Sequence, residues 1–393
     1  MSIAQITTVH HRADTRIRVK EVASLARRLD EPVFLLVQDG KGPEVSACGR
    51  YRVIDSGLRP RGRIMRMIRG NWRMWRALRR VKPRVVHFHD PELLFLGLAM
   101  KLTGARVVYD VHEDVPRQIL TKDWIPALLR RPLAAVVGIL EGLAVKVFDG
   151  VVPATPPIAR RFPGPRTVVV QNFPLLDELR CVDALAYAAR PPALAYVGDI
   201  SEVRAADEMV QALGLLPRTL ACRLELAGGF ASPALEQRVR ALPGWSRVRF
   251  HGWATRPQVA AILGRARAGL VLLHPEPNYV EAYPNKMFEY MAAGLPVIAS
   301  DFPLWRELVE ESGAGLLVDP QDAVAIAGAM RWILENPDEA VAMGRRGRAA
   351  VEARFNWQPE EEKLIGLYRR LLDQPQPTTV VAPLAARAER PPR

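Results

Sequence analysis

The chain has 393 residues and a formal net charge of +13, from 55 Lys and Arg against 42 Asp and Glu. With 49% hydrophobic residues it can build two domains, each with its own core. Its longest apolar runs, 93–100 and 133–140, exclude a spanning helix, which needs about 20 such residues.

The charge calls for an anionic partner: nucleic acid, anionic lipid or a phosphorylated substrate. Cys48, Cys181 and Cys222 are few, odd in number and far apart, which predicts a reducing compartment and no disulfide framework. The first residues, MSIAQITTVHHRADTR, lack a charged region followed by a long apolar one, so no secretory leader is expected.

In chain order, Ile3 to Val9 reads as a strand, Ile17 to Arg28 as a helix and Val33 to Val37 as a strand. Arg59 to Arg84 follows, with eleven Lys and Arg and no acid. There Ile64, Ile68, Trp72, Trp75 and Leu78 recur at helical spacing. Gly70 weakens that helix by roughly 1 kcal/mol relative to Ala. A basic helix with an apolar stripe suits the headgroup region of an anionic bilayer, although packing on a sheet also calls for such a stripe.

Strands are then expected at Val85 to Phe88, Val107 to Tyr109, Val151 to Val152 and Thr167 to Val170. After a Pro-rich stretch ending at Pro191 and Pro192 the alternation restarts. Strands are expected at Leu194 to Val197, Leu224 to Ala227, Val248 to Phe250, Leu270 to Leu273, Val297 to Ala299 and Leu316 to Val318. Helices close the series around Trp332 to Leu334, Val341 to Val351 and Leu364 to Leu372. The pattern is α/β with parallel sheets, built twice and without an internal repeat. Gln374 to Arg393, rich in Pro, Ala and Arg, reads as a disordered tail.

Ligands of parallel α/β sheets sit at the carboxyl ends of strands. There the sequence places His10-His11-Arg12, His87-Phe88-His89-Asp90 and Asp110-Val111-His112-Glu113-Asp114. Five of the seven histidines fall in the first half, all at such ends, which points to a shared cleft. Asp90 and Glu113 are candidates for holding hydroxyls. In the second half the ends carry Gly198-Asp199, Gly228-Gly229, His251-Gly252-Trp253 and the loop from His274 to Glu281.

The densest of these stretches is EAYPNKMFEYMAAGLPVIAS, Glu281 to Ser300. Pro284 disfavours a helical Tyr283, so Glu281 is expected on an extended approach. Asn285 is a candidate N-cap, Lys286 to Ala293 form a short helix, and Gly294 and Pro296 end it. Amides near Tyr283 to Met287 then lack partners within the helix and can hold an anion. Glu281 and Glu289 stand on either side, placed to bind hydroxyls. There is no Gly-x4-Gly-Lys-Ser/Thr, no Gly-x-Gly-x-x-Gly, no Asp-x-Asp, no zinc spacing and no Gly-x-Ser-x-Gly. No nucleic-acid reading motif appears.

Glu281-x7-Glu289 with PNKMFEYMAAGLPVIAS resembles the donor-site signature of retaining GT-B glycosyltransferases of family 4. YVGDISEVR, Tyr196 to Arg204, is similar to that family's diphosphate-binding turn. TTVHHRADTRIRVKEVASLA, HFHDPELLFLGLAMKL, VVYDVHEDVPRQIL and VVVQNFPLL resemble the N-terminal blocks of a bacterial polysaccharide-type branch.

The resemblance implies two Rossmann-like domains facing a cleft, with a C-terminal helix returning to the first. The expected boundaries are 1–178 for an acceptor domain, 179–192 for a hinge and 193–355 for a nucleotide-sugar domain. A crossover helix at 356–373 and the tail at 374–393 follow.

The implied activity moves a sugar from a UDP or GDP sugar to a glycan or lipid-linked acceptor, with retention and without a metal or other cofactor. Glu281 then faces the donor sugar, Glu289 the ribose, and Arg204 the diphosphate. Tyr283, Pro284, Asn285, Lys286 and Gly198 complete the donor site, and His112 stands near the reacting sugar. Trp253 and Arg256 follow the strand whose end meets the base.

Three departures stand out: Asp199 where many relatives carry Arg, Ala205 where they carry Gly, and an N-terminal loop without the Gly-Gly found in many of them. Arg12, Arg16 or Lys286 are the candidate replacements for the missing cation. The implied setting is the cytoplasmic face of a membrane, reached through 59–84, without nucleic acid as partner. A non-hydrolysing sugar-nucleotide epimerase shares the fold, and a basic nucleic-acid binder shares the charge.

Overall fold

The computed structural model describes residues 2–122, 125–179 and 185–373. The expected disordered tail and Cys181 lie outside the described residues.

The first sheet has seven strands. They are β1 (Ile3–Ile6), β2 (Val33–Val37), β3 (Glu44–Val45), β4 (Tyr51–Asp55), β5 (Val85–Phe88), β6 (Arg106–Val111) and β7 (Gly150–Pro153), ordered β3-β4-β2-β1-β5-β6-β7. All pairs are parallel except β3 with β4. The second sheet has β8 (Ala193–Val197), β9 (Arg223–Ala227), β10 (Val248–Gly252), β11 (Ala268–Val271), β12 (Val297–Ser300) and β13 (Gly315–Val318). Its order is β10-β9-β8-β11-β12-β13, parallel throughout. The central strands β1, β5 and β12 are buried along their whole length, as sheets covered on both faces require.

One strand expectation differs from the structure: Thr167 to Val170 forms no strand and makes one isolated bridge, Val151 with Thr167. The sequence reading did not expect the two-residue edge strand β3 or its neighbour β4, where charged residues interrupt the apolar ones.

The last described helix, Trp357–Asp373, leaves the second domain and packs on the first. Trp357, Leu364, Ile365, Tyr368 and Leu371 share one core with Ile3, Ile17, Leu25 and Val85. Trp357 is pinned at both ends, its amide to Pro174 O at 2.9 Å and its Nε1 to Ser24 Oγ at 3.0 Å.

The basic stretch is helical over 63–81, with a π turn at Arg66–Gly70. Gly70 fits there because Gln38 Nε2 donates to its carbonyl at 2.7 Å, and a Cβ would stand 3.1 Å from Gln38 Oε1. Ile64, Ile68, Trp72 and Trp75 are exposed, whereas Leu78 faces the core beside Met74 and Ala77. Leu78 therefore does not belong to the outward stripe.

Candidate active site

The donor helix is Asn285–Ala292, shifted one residue toward the N-terminus relative to the expected Lys286 to Ala293. Pro284 takes the N-cap position and Asn285 is the first helical residue, so Asn285 is not the cap. No side chain caps this end, and the amides of Asn285 and Lys286 have no partner within the helix. Gly294, at φ 71°, ends the helix as expected. Glu281 is not extended. It sits at φ −102°, ψ 11° as the C-cap of a short helix, Pro277–Val280, that the sequence did not announce.

Facing the helix N-terminus is the turn after β8. Gly198, at φ 129°, brings its backbone against Lys286, and a Cβ there would stand 2.6 Å from Lys286 Cε. Gly228 supports the approach from behind, because a Cβ on it would fall 1.9 Å from Gly198 O. Lys286 Nζ donates to Tyr196 Oη at 2.7 Å, and Tyr196 Oη donates to Asp199 O at 2.6 Å. Burial, and then the neighbouring Arg204, hold the Lys286 pKa well below the ordinary lysine value. Asp199 Oδ2 lies 3.7 Å from Arg204 Nη2, so an acid sits beside one of the cations. Ala205 takes the left-handed conformation, φ 53°, that glycine adopts more readily.

Glu289 is engaged by Arg256 Nη1 at 3.0 Å, while Arg256 Nε reaches Glu178 Oε1 at 2.7 Å. Behind this trio Lys20 is buried, with Nζ 2.6 Å from Asn172 Oδ1. Desolvation pulls its pKa down to about 8 against the pull of Glu289 and Glu178. Sequence reasoning missed Lys20 and Glu178. Glu178 falls at the domain junction, where no motif marks it. Trp253 is largely exposed, and of the two residues after β10 only Arg256 meets the site.

From the first domain, Arg117 forms an ion pair with Glu281 and lies 3.5 Å from Asp114 Oδ2. Arg117 lies in the VVYDVHEDVPRQIL block, but nothing in that block singles it out.

His112 Nε2 lies 3.2 Å from Asp110 Oδ2 and 3.1 Å from His89 Nδ1. Arg16 holds Asp110 through Nε at 3.1 Å and Nη2 at 2.9 Å, and holds Glu21 at 3.0 Å. Glu21, His87, His89 and Asp110 place ligand atoms within 4.8 Å of one another. The Arg16 guanidinium already supplies the cation these two carboxylates call for.

Of the five N-terminal histidines only His112 lines the cleft. His87 and His89 are fully buried beneath it, His11 is exposed, and the His10 ring lies 4.9 Å behind His112. Asp90 is also structural, since its Oδ2 accepts from Thr7 Oγ1 at 3.0 Å, Thr8 Oγ1 at 3.1 Å and Val9 N at 3.2 Å. Arg12 is occupied away from the cleft by Asp39 at 2.6 Å and Glu44 at 3.2 Å, so it does not replace the missing cation.

Glu281, His112, Arg204, Glu289, Tyr283, Pro284, Asn285, Lys286 and Gly198 all line one cleft of about 1120 Å³, together with Arg16, Glu113 and Arg256.

Two family models match the chain: a glycosyl transferase 4-like domain over residues 15–172 and glycosyl transferases group 1 over residues 191–336. Glycogen synthase of Mycobacterium tuberculosis is 27% identical over 321 residues, covering 78% of this chain and 73% of that protein. A phosphatidyl-myo-inositol mannosyltransferase of Mycobacterium leprae is 24% identical, covering 72% of each. Among solved structures, a sucrose-phosphate synthase of Thermosynechococcus elongatus superposes with a TM-score of 0.75 at 22% identity, covering 94% of this chain and 99% of that one. An Anabaena protein solved with UDP-glucose superposes at 0.69 with 15% identity, covering 94% and 100%. The chain is a glycosyltransferase of the GT-B fold, with a glycosyl transferase 4-like first domain and a glycosyl transferases group 1 second domain.

Proposed function

We propose that the enzyme transfers a sugar from a UDP or GDP sugar to a lipid-linked glycan acceptor, with retention at the anomeric carbon, in surface polysaccharide synthesis. One observation carries this reading: Glu281 and Glu289 flank a helix N-terminus, with Lys286 in its first turn, that faces Gly198 and Arg204 across a single cleft. In it, Glu289 holds the ribose, and Arg256 turns from the carboxylate to the nucleotide. Glu281 holds the donor sugar's hydroxyls, and Arg117 gives way to that sugar.

The bond from the anomeric carbon to the diphosphate oxygen breaks, and the acceptor hydroxyl attacks on the same face. Its proton passes to a diphosphate oxygen. Arg204, Lys286 and the helix amides stabilise the charge that develops on the diphosphate, without a metal. His112, oriented by Asp110, positions and stabilises the sugar as positive charge grows on it.

The acceptor side is supported by the basic helix 63–81, whose exposed Ile64, Ile68 and Trp72 suit an anionic membrane at the cytoplasmic face.

Purified protein with a panel of UDP and GDP sugars tests the reading. Nucleotide release that depends on a glycan-lipid acceptor is expected. Epimerised donor formed without acceptor, or no donor binding at all, overturns it.

A further inference from the structure

The helix Ala127–Val145 has its polarity reversed. Between Pro132 and Val145 its one charged residue, Glu141, is buried, accepting from Tyr109 Oη at 2.7 Å and Arg161 Nη2 at 2.6 Å. Its outer face carries Leu128 (90% exposed), Leu129, Leu133, Val136, Ile139 (61% exposed) and Leu143. Ordinary surface helices place charge outward and apolar residues inward. A contiguous apolar face of this length marks an interaction surface.

Three things identify what covers it. First, the helix packs on the same face of the first sheet as the basic helix. Met74 and Leu78 of that helix share one core with Leu93 and Met100 of Leu94–Leu102 and its lead-in turn, and with Ala144. Arg66 and Asn71 tie the basic helix to Glu92, at 3.0 and 2.8 Å, and Phe95 and Leu102 stand exposed between the two. Second, the face is rimmed by cations, Arg131 at one end and Lys146 at the other. A second copy, itself at +13, would bring like charge against like, whereas an anionic surface would not. Third, the helix begins at the cleft mouth, where Lys122 and Arg130 line the opening.

We propose that Ala127–Val145 lies along an anionic lipid bilayer with its outer face in the acyl boundary, so that the cleft opens at the headgroup plane. The surface stands on its own geometry, but its use in delivering a lipid-linked acceptor rests on the function proposed above. The basic helix supplies long-range attraction that salt screens, and the apolar helix supplies burial that salt does not weaken. No helix among the described residues is long and apolar enough to cross a membrane, which fits a helix lying in its plane.

The test is sedimentation of the full chain with vesicles of phosphatidylcholine alone or mixed with phosphatidylglycerol, at low and high salt. Wild type is expected to bind the anionic vesicles and to keep part of that binding at high salt. The double variant Ile139→Glu with Leu143→Glu is expected to lose about tenfold in partitioning and to bind no vesicles at high salt. Equal partitioning of variant and wild type overturns the proposal. So does a wild type that stays in the supernatant with every vesicle. A vesicle-free wild-type dimer that the variant converts to monomer also overturns it, by assigning the face to a second copy. Thermal shifts with UDP and GDP on the same samples report the donor site separately. Intact shifts without vesicle binding sink the docking alone, and absent shifts with vesicle binding sink the transferase reading alone.

Discussion

Glu289 pairs with Arg256 at 3.0 Å, and Arg256 pairs with Glu178 in turn, so in the proposed function the acid that would hold the ribose is oriented by a cation until the nucleotide binds. Removing the acid takes away a charged acceptor, an interaction worth about 1.5–3 kcal/mol. Glu289→Ala is therefore expected to weaken UDP or GDP binding by roughly ten- to hundredfold in calorimetric titration. In the proposed function Glu281 would hold the part of the donor that changes in the transition state, so Glu281→Ala should lower kcat more than it raises KM. Arg204→Ala should do both, losing about 3 kcal/mol. Wild-type kinetics in all three folded variants would remove these residues from the site. Asp199 makes a finer test. Its carboxylate, 3.7 Å from Arg204 and mostly exposed, offsets the cation proposed to meet the diphosphate. A surface pair of this kind is worth about 0.2–1 kcal/mol. Asp199→Asn should tighten nucleotide binding by about two- to fivefold at low salt and show little effect at high salt. Weaker binding in Asp199→Asn at low salt would mean the acid serves the donor directly.

Two helices are proposed to act through their ends and faces. In the proposed function the N-terminus at Asn285 and Lys286, with Arg204 opposite, would offer the charge that a divalent cation would otherwise bring. EDTA is accordingly expected to leave most transferase activity intact, and complete loss restored by Mn²⁺ or Mg²⁺ would refute that arrangement. The basic helix divides its arginines by task. Arg66 pairs with Glu92 at 3.0 Å and Arg73 donates to Leu58 O at 2.7 Å, so both serve the fold. Arg69, Arg76, Arg79 and Arg80 are exposed, with Arg76 over Trp72 and Arg79 over Trp75. Changing these four to Glu should sharply reduce binding to anionic vesicles at low salt, leaving the part carried by the apolar helix, with little change in melting temperature. Undiminished binding would show that the attraction lies elsewhere. Legibility follows the same division. A buried strand such as β2 announces itself as an unbroken apolar run, and the helix Asn285–Ala292 through its flanking Pro284 and Gly294. The trio of Glu178, Arg256 and Glu289 does not, because its members come from a turn and two separate helices that only the fold brings together. Thr167 to Val170 misleads because its apolar residues serve the core under the return helix, where Val168 and Val170 pack.

The return helix couples the ends of the molecule through a polar core. Tyr368 Oη lies 2.8 Å from His87 Nδ1, so the helix is keyed into β5 by a fully buried histidine. Burial first, and then His89, hold the His87 pKa well below its ordinary 6.5. In the unfolded chain the ring takes up a proton as pH falls through 6.5, while in the folded chain it does not until much lower. The unfolded state thus binds more protons in that window, and stability is lost as pH falls below 6.5, by up to about 1.4 kcal/mol per unit. His89, also lowered by burial, acts in the same direction. Glu21 acts in the opposite one, because burial and Asp110 raise its pKa and the folded state holds its proton above 4.5. The wild-type curve alone therefore mixes these terms, and the difference between wild type and His87→Gln isolates the histidine. Glutamine can still meet the Tyr368 hydroxyl but does not titrate. Urea unfolding monitored at about pH 7 and about pH 5.5 should show wild type losing roughly 1 kcal/mol relative to His87→Gln on acidification. A difference that stays constant between the two pH values would mean that His87 titrates alike in the folded and unfolded chains, and that its burial beneath the return helix carries no electrostatic cost.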